Sequence, residues 1–260
     1  MDLHLKDKVI IVTGGAKGIG AAIATTLANE KAVPVIIGRN QSDNEMMIKS
    51  IRENGGKAGY VTAELSDPAQ CETAVKKVME DYKRIDGLVN NAGVNDGVGL
   101  EIGNYERFLN SLHNNLVHYY LIAHFALPAL KQSKGAIVNI GSKTAETGQG
   151  GTSAYAASNG GRNALVREWA VELLQYGIRV NGVIVAECLT PLYENWISVF
   201  PDPKKKLKEI TSRIPLGKRM TKGEEIADMV AFLLSERSSH TTGQLIHVDG
   251  GYVHLDRAIK

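Results

Sequence analysis

The stretch Thr13-Gly14-Gly15-Ala16-Lys17-Gly18-Ile19-Gly20 sets four glycines and a lysine between a short apolar run and a helical pattern. Strand, glycine turn and helix in that order suit a pyrophosphate. Glycine lets the backbone close on phosphate oxygens, and the helix N-terminus offers unpaired N–H groups and a partial positive charge. Gly14, Lys17, Gly18, Ile19 and Gly20 are therefore expected to bind a dinucleotide. About 20 residues further on, an NAD site commonly places an acidic residue that accepts from the ribose 2′-hydroxyl. This chain has Gly38-Arg39-Asn40 instead. A guanidinium at Arg39 suits a 2′-phosphate, and Lys17 adds a second cation, so NADP(H) is favoured, with NAD possible.

Such a cradle must be carried by a strand and the helix after it, and the rest of the chain repeats that unit. Short β-branched runs at 9–13, 33–38, 58–62, 87–90, 135–141, 178–185 and 245–248 alternate with amphipathic patterns at 18–30, 42–54, 68–83, 104–132, 153–176 and 223–235. Several of the runs are apolar without alternation, as strands covered on both faces should be. The expected fold is α/β: a doubly wound, parallel, seven-stranded Rossmann-like sheet of order 3-2-1-4-5-6-7, in a single domain over 1–260. Residues 190–222 break the rhythm with Pro191, Pro201, Pro203 and Pro215, the aromatics Tyr193, Trp196 and Phe200, and Lys204, Lys205 and Lys206. They read as a helical flap over the site, or as a surface insertion with a solvated lysine run.

Composition excludes several classes. A net charge of +2 and 22% charged residues give no reason to expect nucleic acid or a membrane as partner. The opening MDLHLKDK has no signal-like apolar block, and no apolar run approaches the ~20 residues of a bilayer span. A cytoplasmic protein is expected. Cys71 and Cys188 fit reduced thiols, and the seven histidines have no metal-ligand spacing, so no metal is expected.

Over nearly its whole length the chain resembles the short-chain dehydrogenase/reductase family. The matches are Thr13-Gly-x-x-x-Gly18-x-Gly20, then Asn90-Asn91-Ala92-Gly93, then Asn115-Leu116 followed by Pro128. After these come Ile137-Val138-Asn139-Ile140-Gly141-Ser142, Tyr155, and Asp249-Gly250-Gly251. More narrowly, Asn91-Ala-Gly-Val-Asn-Asp-Gly, Ser142-Lys-Thr-Ala, Thr190-Pro-Leu-Tyr and His254-Leu-Asp-Arg look like bacterial L-fucose dehydrogenases of this family. The resemblance implies hydride transfer between a nicotinamide and a carbinol or carbonyl carbon. In that scheme Ser142 hydrogen-bonds the substrate oxygen, Tyr155 is general acid or base, and Asn115 anchors a water relay. Ser142 ends a strand and Tyr155 begins a helix, so both can face one cleft at the C-terminal edge of the sheet. By the same resemblance Glu64, Leu65, Asn91, Ala92, Gly93 and Thr190 join the cofactor site.

The family carries lysine four residues after the tyrosine, on the same helix face. Here the sequence is Tyr155-Ala-Ala-Ser-Asn159. That lysine holds the nicotinamide ribose and lowers the tyrosine pKa. Moving a phenol from ~10 to ~7 takes about 4 kcal/mol, which is also what one ammonium at ~4 Å supplies at an effective dielectric of ~20. Asn159 keeps amide donors and an acceptor for the ribose but brings no charge. Three arrangements stay open: Lys143 supplies a cation, the positive charge of the oxidised nicotinamide suffices at alkaline pH, or the chain binds NADP and is catalytically weak or silent. Without a substitute cation, neutral-pH activity is expected to fall by up to ~10³-fold. A second departure is Val185-Ala186-Glu187, where the family has Pro-Gly.

Asn95, Ser142, Lys143, Glu187, Tyr193 and Trp196 are the candidate substrate contacts. Directional polar groups beside aromatic faces suit a sugar, with Tyr193 and Trp196 alternatively anchoring the flap. The expected reaction is oxidation of an aldose such as L-fucose at C1 to the lactone. The resemblance also implies a homotetramer, in which the tail at 252–260 reaches a neighbouring subunit.

Overall fold

Val9–Thr13 (β1) is buried along its whole length, with apolar side chains on both faces. The fold is that of a computed structural model in which residues 1–255 are described. After β1 come Gly18–Asn29 (α1), Val33–Gly38 (β2), Gln41–Glu53 (α2), Gly59–Thr62 (β3), Pro68–Tyr82 (α3) and Gly87–Asn90 (β4). The second half holds Tyr105–Leu112 (α4), His118–Ser133 (α5), Ala136–Ser142 (β5), Ser153–Glu172 (α6), Arg179–Val185 (β6), Pro191–Ser198 (α7), Pro203–Ser212 (α8), Gly223–Leu234 (α9) and Leu245–Val248 (β7).

The seven strands form one parallel sheet in the order β3-β2-β1-β4-β5-β6-β7, the order expected from the sequence. Two-sided burial follows from the alternation of strand side chains. Val9 and Ile11 join a core with α3, α5 and α6, whereas Ile10 and Val12 join one with α1 and α9. Each fully buried aliphatic side chain contributes about 1.5–3 kcal/mol. The chain reverses direction of winding between β1 and β4, and a crevice opens there at the carboxyl ends of the strands.

The pattern at 104–132 suggests one continuous helix, and the structure corrects this. Between α4 and α5 the residues His113–Val117 wind as a π-turn, with Asn115 at its centre and fully buried. A π-turn holds one residue more than an α-turn, and it shifts hydrogen bonding to i→i+5, which frees carbonyls for other donors. The helical pattern at 153–176 likewise ends at Glu172, followed by a single 3₁₀ turn at Leu174–Tyr176.

Within 190–222 the two helices α7 and α8 enclose a small core of Ile197, Ile214 and Met220, with Tyr193, Leu207, Ile210 and Tyr252 packed against it. Among the described residues no helix is long and apolar enough to cross a membrane. The proposed reach of the 252–260 tail depends partly on residues 256–260, which lie outside the described range.

Candidate active site

Thr13 ties the two strands of the crevice together. Its Oγ1 accepts the amides of Asn91 (2.9 Å) and Ala92 (3.1 Å), while Asn91 Nδ2 donates to the carbonyls of Thr13 (2.9 Å) and Gly14 (3.3 Å). The glycine turn is closed so tightly that a Cβ on Gly20 would stand 2.2 Å from the Gly14 oxygen. Lys17 is the N-cap of α1 and makes no side-chain cap, so the first-turn N–H groups stay open to an anion. Ile19 packs on the core beneath. These features fit a dinucleotide pyrophosphate. Thr190 stands beside the turn: a Cβ on Gly18 would meet its Cβ at 3.4 Å, and its hydroxyl caps α7 by accepting the Tyr193 amide at 3.2 Å. A cavity of about 990 Å³ lies between α1 and α8, with Gly18 and Thr190 among its lining residues.

The cations expected at a 2′-phosphate each have an acidic neighbour. Asn40 caps α2 by accepting the Asp43 amide at 3.0 Å, which sets the Asp43 carboxylate 2.7 Å from Lys17 Nζ. Arg39 is more available: its side chain is 81% exposed and stands 3.7 Å from Glu64, while Leu65 is buried in the core beneath.

At the carboxyl end of β5, Ser142 Oγ accepts from the Thr144 amide (3.3 Å) and hydroxyl (3.1 Å), which leaves its own proton for an outside oxygen. The Lys143–Ala145 turn that follows packs on α6, whose first turn carries Tyr155. Asn159 is fully buried. Its Nδ2 donates to the Tyr155 carbonyl (2.8 Å) and its Oδ1 accepts from Arg162 Nη1 (3.1 Å). One amide hydrogen and one lone pair of Oδ1 are thereby taken up, which leaves half of the expected hydrogen-bonding capacity for a ribose.

Arg162, absent from the sequence reading, is the centre of this cluster. It is 3% exposed, and Nε donates to the Asn115 carbonyl at 2.6 Å, while Nη1 reaches the Ile140 carbonyl at 3.2 Å. Its guanidinium lies 4.2 Å over the Tyr119 ring. The Asn115 side chain is held as well: Oδ1 accepts the Val94 amide (2.8 Å) and Nδ2 donates to the Ser111 carbonyl (3.0 Å). Burial pushes the Tyr119 phenol up to about 12. Burial, with the Arg162 charge second, pushes His118 down to about 3.

Lys143 does not act as a spare cation. Its ammonium is bound by Glu187 Oε1 and lies 4.2 Å over the Tyr252 ring, and Glu187 Oε2 accepts the Tyr193 hydroxyl at 2.6 Å. Burial first, then the Glu187 carboxylate, raises the Tyr193 phenol above its ordinary value. Glu187 thus ties the β5 and β6 ends to α7. Trp196 extends an edge-to-face row from Tyr193 (5.2 Å) to Phe200 (5.0 Å) and is half exposed. Asn95 lies in the exposed loop after β4, where it accepts the Gly97 amide at 3.3 Å. The absence of metal-ligand spacing along the sequence does not carry over to space. Glu146, His247 and His254 bring one donor atom each within 4.8 Å of one another at the rim, with His247 held by Glu146 at 3.0 Å.

A model of the family described as enoyl-(acyl carrier protein) reductase matches residues 14–253. The 3-oxoacyl-[acyl-carrier-protein] reductase FabG of Thermotoga maritima is 36% identical over 96% of this chain and 100% of its own. The L-fucose dehydrogenase of Bos taurus is 33% identical over 96% of this chain and 91% of its own. Among solved structures, Cj0485 dehydrogenase superposes with a TM-score of 0.95 at 44% identity, covering 100% of this chain and 99% of that one. An actinorhodin polyketide ketoreductase solved with NADPH gives a TM-score of 0.91 at 28% identity over 96% of this chain and 98% of that one.

Proposed function

The chain belongs to the short-chain dehydrogenase/reductase family, and on that premise we propose that it is an NADP(H)-dependent dehydrogenase oxidising the C1 hydroxyl of an aldose such as L-fucose to the lactone. Oxidoreductase chemistry on a CH–OH or carbonyl group is common to the family. The finer reading rests on one observation, the Lys143–Glu187–Tyr193 network at the cleft. It offers fixed charged and hydroxyl groups beside an aromatic row, which suit a polyhydroxylated substrate better than an acyl chain.

In this reading the open N-terminus of α1 and the Gly14–Gly20 turn hold the pyrophosphate, and Arg39 holds the 2′-phosphate. Asn91, Ala92, Gly93 and Thr190 flank the nicotinamide. A bound nicotinamide would supply the hydride acceptor for C1. Ser142 donates its free proton toward the C1 oxygen, and Tyr155 takes the hydroxyl proton as general base. Asn115, at the π-turn, anchors the water relay that takes up that proton. The rival reading, a catalytically silent NADP-binding protein, has Asn159 in its favour. The proposal includes a cytoplasmic homotetramer, supported by the family resemblance and, for a reducing compartment, by the two buried free thiols Cys71 and Cys188.

The test is a screen of aldoses and of 3-oxoacyl thioesters with NADP(H) and NAD(H), from neutral to alkaline pH. L-Fucose-dependent formation of NADPH is the expected result. Turnover confined to acyl thioesters would overturn the substrate, and binding of NADPH with no turnover of either class would favour the silent protein.

A further inference from the structure

We infer that the Arg162 guanidinium is the cation of this active site, supplying from three residues further along α6 the positive charge that the family places at position 159. The inference rests on the role of Tyr155 proposed above. It makes Arg162 a positioning residue, acting through Asn159 and the Asn115 carbonyl.

Tyr155, Asn159 and Arg162 are spaced by four and three residues and so share one face of α6. Helical side chains lean toward the N-terminus, which carries the guanidinium back to the level of Asn159, as the 3.1 Å bond to Oδ1 shows. The head group is buried, and its recorded partners are all neutral oxygens: the carbonyls of Asn115 and Ile140 and the amide oxygens of Asn159 and, at 3.5 Å, Asn115. Among the described residues no carboxylate forms an ion pair with it. A cation buried without a counter-charge is costly to keep, and its field falls on whatever stands beside it.

The neighbours are those an acid–base site would engage. A Cβ on Gly93 would stand 2.7 Å from Nη2, so the loop after β4 comes down directly on the guanidinium. The π-turn presents its carbonyl to Nε from another side. The charged and titratable groups facing this cluster are accounted for. The helix α5 contributes Tyr119 and His118. The turn after β5 contributes Lys143, neutralised by Glu187, and Glu146, paired with His247. The loop after β4 contributes Asp96, bound to Ser111 at 3.0 Å. Arg162 is the cation left with an unbalanced charge, and the pair Asn159/Arg162 reads as a relocated lysine.

The test compares Arg162→Lys with Arg162→Gln in the full chain. Both shorten the side chain and keep a donor, so a purely structural role moves them alike, whereas a charge role separates them. We expect Arg162→Gln to lose about 10- to 100-fold in kcat at pH 7, with the loss recovered one to two pH units higher, and Arg162→Lys to keep most of the rate. The Tyr155 phenol is followed in parallel by NMR of ¹³Cζ-labelled tyrosine, assigned with Tyr155→Phe. Its ionisation should move to higher pH in Arg162→Gln and not in Arg162→Lys, whatever the substrate proves to be. Should Arg162→Gln not fold, Asn159→Lys/Arg162→Leu decides, with a Tyr155 titration at or below that of the unaltered chain expected. Equal Tyr155 titrations in the Lys and Gln variants, or a raised one in the double variant, would overturn the inference. Absence of turnover in the unaltered chain would count against the proposed activity alone.

Discussion

Glu187 Oε2 accepts the Tyr193 hydroxyl at 2.6 Å while the other oxygen of the same carboxylate holds the Lys143 ammonium. Two strand ends and the first turn of α7 are therefore joined through one side chain.

Glu187→Gln strands a mostly buried ammonium. The expected cost is about 3 kcal/mol, or roughly 6–12 °C in Tm for a chain of this size, read by calorimetry. Lys143→Met/Glu187→Gln should regain most of that stability and still lose aldose turnover, because the pair is removed together. Equal stability in the single and double variants would show that the loss does not come from the unpaired ammonium.

Cofactor choice should respond to two side chains in opposite directions. Arg39→Ser is expected to weaken NADPH binding about tenfold and leave NADH nearly unchanged, since it removes one charge-assisted contact. Asp43→Asn releases Lys17 from its 2.7 Å partner and should tighten NADPH. Fluorescence titration of both nucleotides checks each variant.

Asn159→Lys restores the family's residue but sets an ammonium against Arg162, and it removes one of the two acceptors that Nη1 now uses. The expected result is a loss of about 2 kcal/mol, some 4–8 °C, with no gain in rate at pH 7. A faster, equally stable variant would mean that the site lacks a cation.

Acid sensitivity should track His118. Nε2 lies 3.0 Å from the Asn114 carbonyl, Nδ1 has no partner, and the folded ring titrates at about 3 against an ordinary 6.5. The unfolded chain therefore binds the proton first, so stability is full above pH 6.5 and falls as pH drops toward 3. The loss approaches about 1.4 kcal/mol per pH unit across that window. His118→Gln should flatten the slope in urea melts between pH 6.5 and 4.

The cradle was legible because its meaning is local: strand, glycines and helix are contiguous from Val9 to Asn29. The sheet order followed from the alternation of apolar runs and helical patterns. The Lys143–Glu187 pair joins residues 44 apart, and only their positions at adjacent strand ends bring them together. Arg162 left a signal that went unused. The buried face of α6 runs Ala154, Ser158, Asn159, Arg162, Asn163, Val166, and four consecutive polar members on a core-facing stripe require internal partners. The π-turn left no comparable mark, because 113–117 continues the helical pattern without a proline or glycine.

That π-turn also makes length a functional variable. Removing one residue from His113–Val117 would let α4 and α5 run on as a regular helix, favourable for the backbone alone. It would also rotate one half against the other by about 100° and carry the Asn115 carbonyl away from Arg162. A shortened chain of this kind would gain helical regularity and lose the bond that holds Arg162 at Asn115, so the number of residues in this turn, and not only their identity, sets that contact.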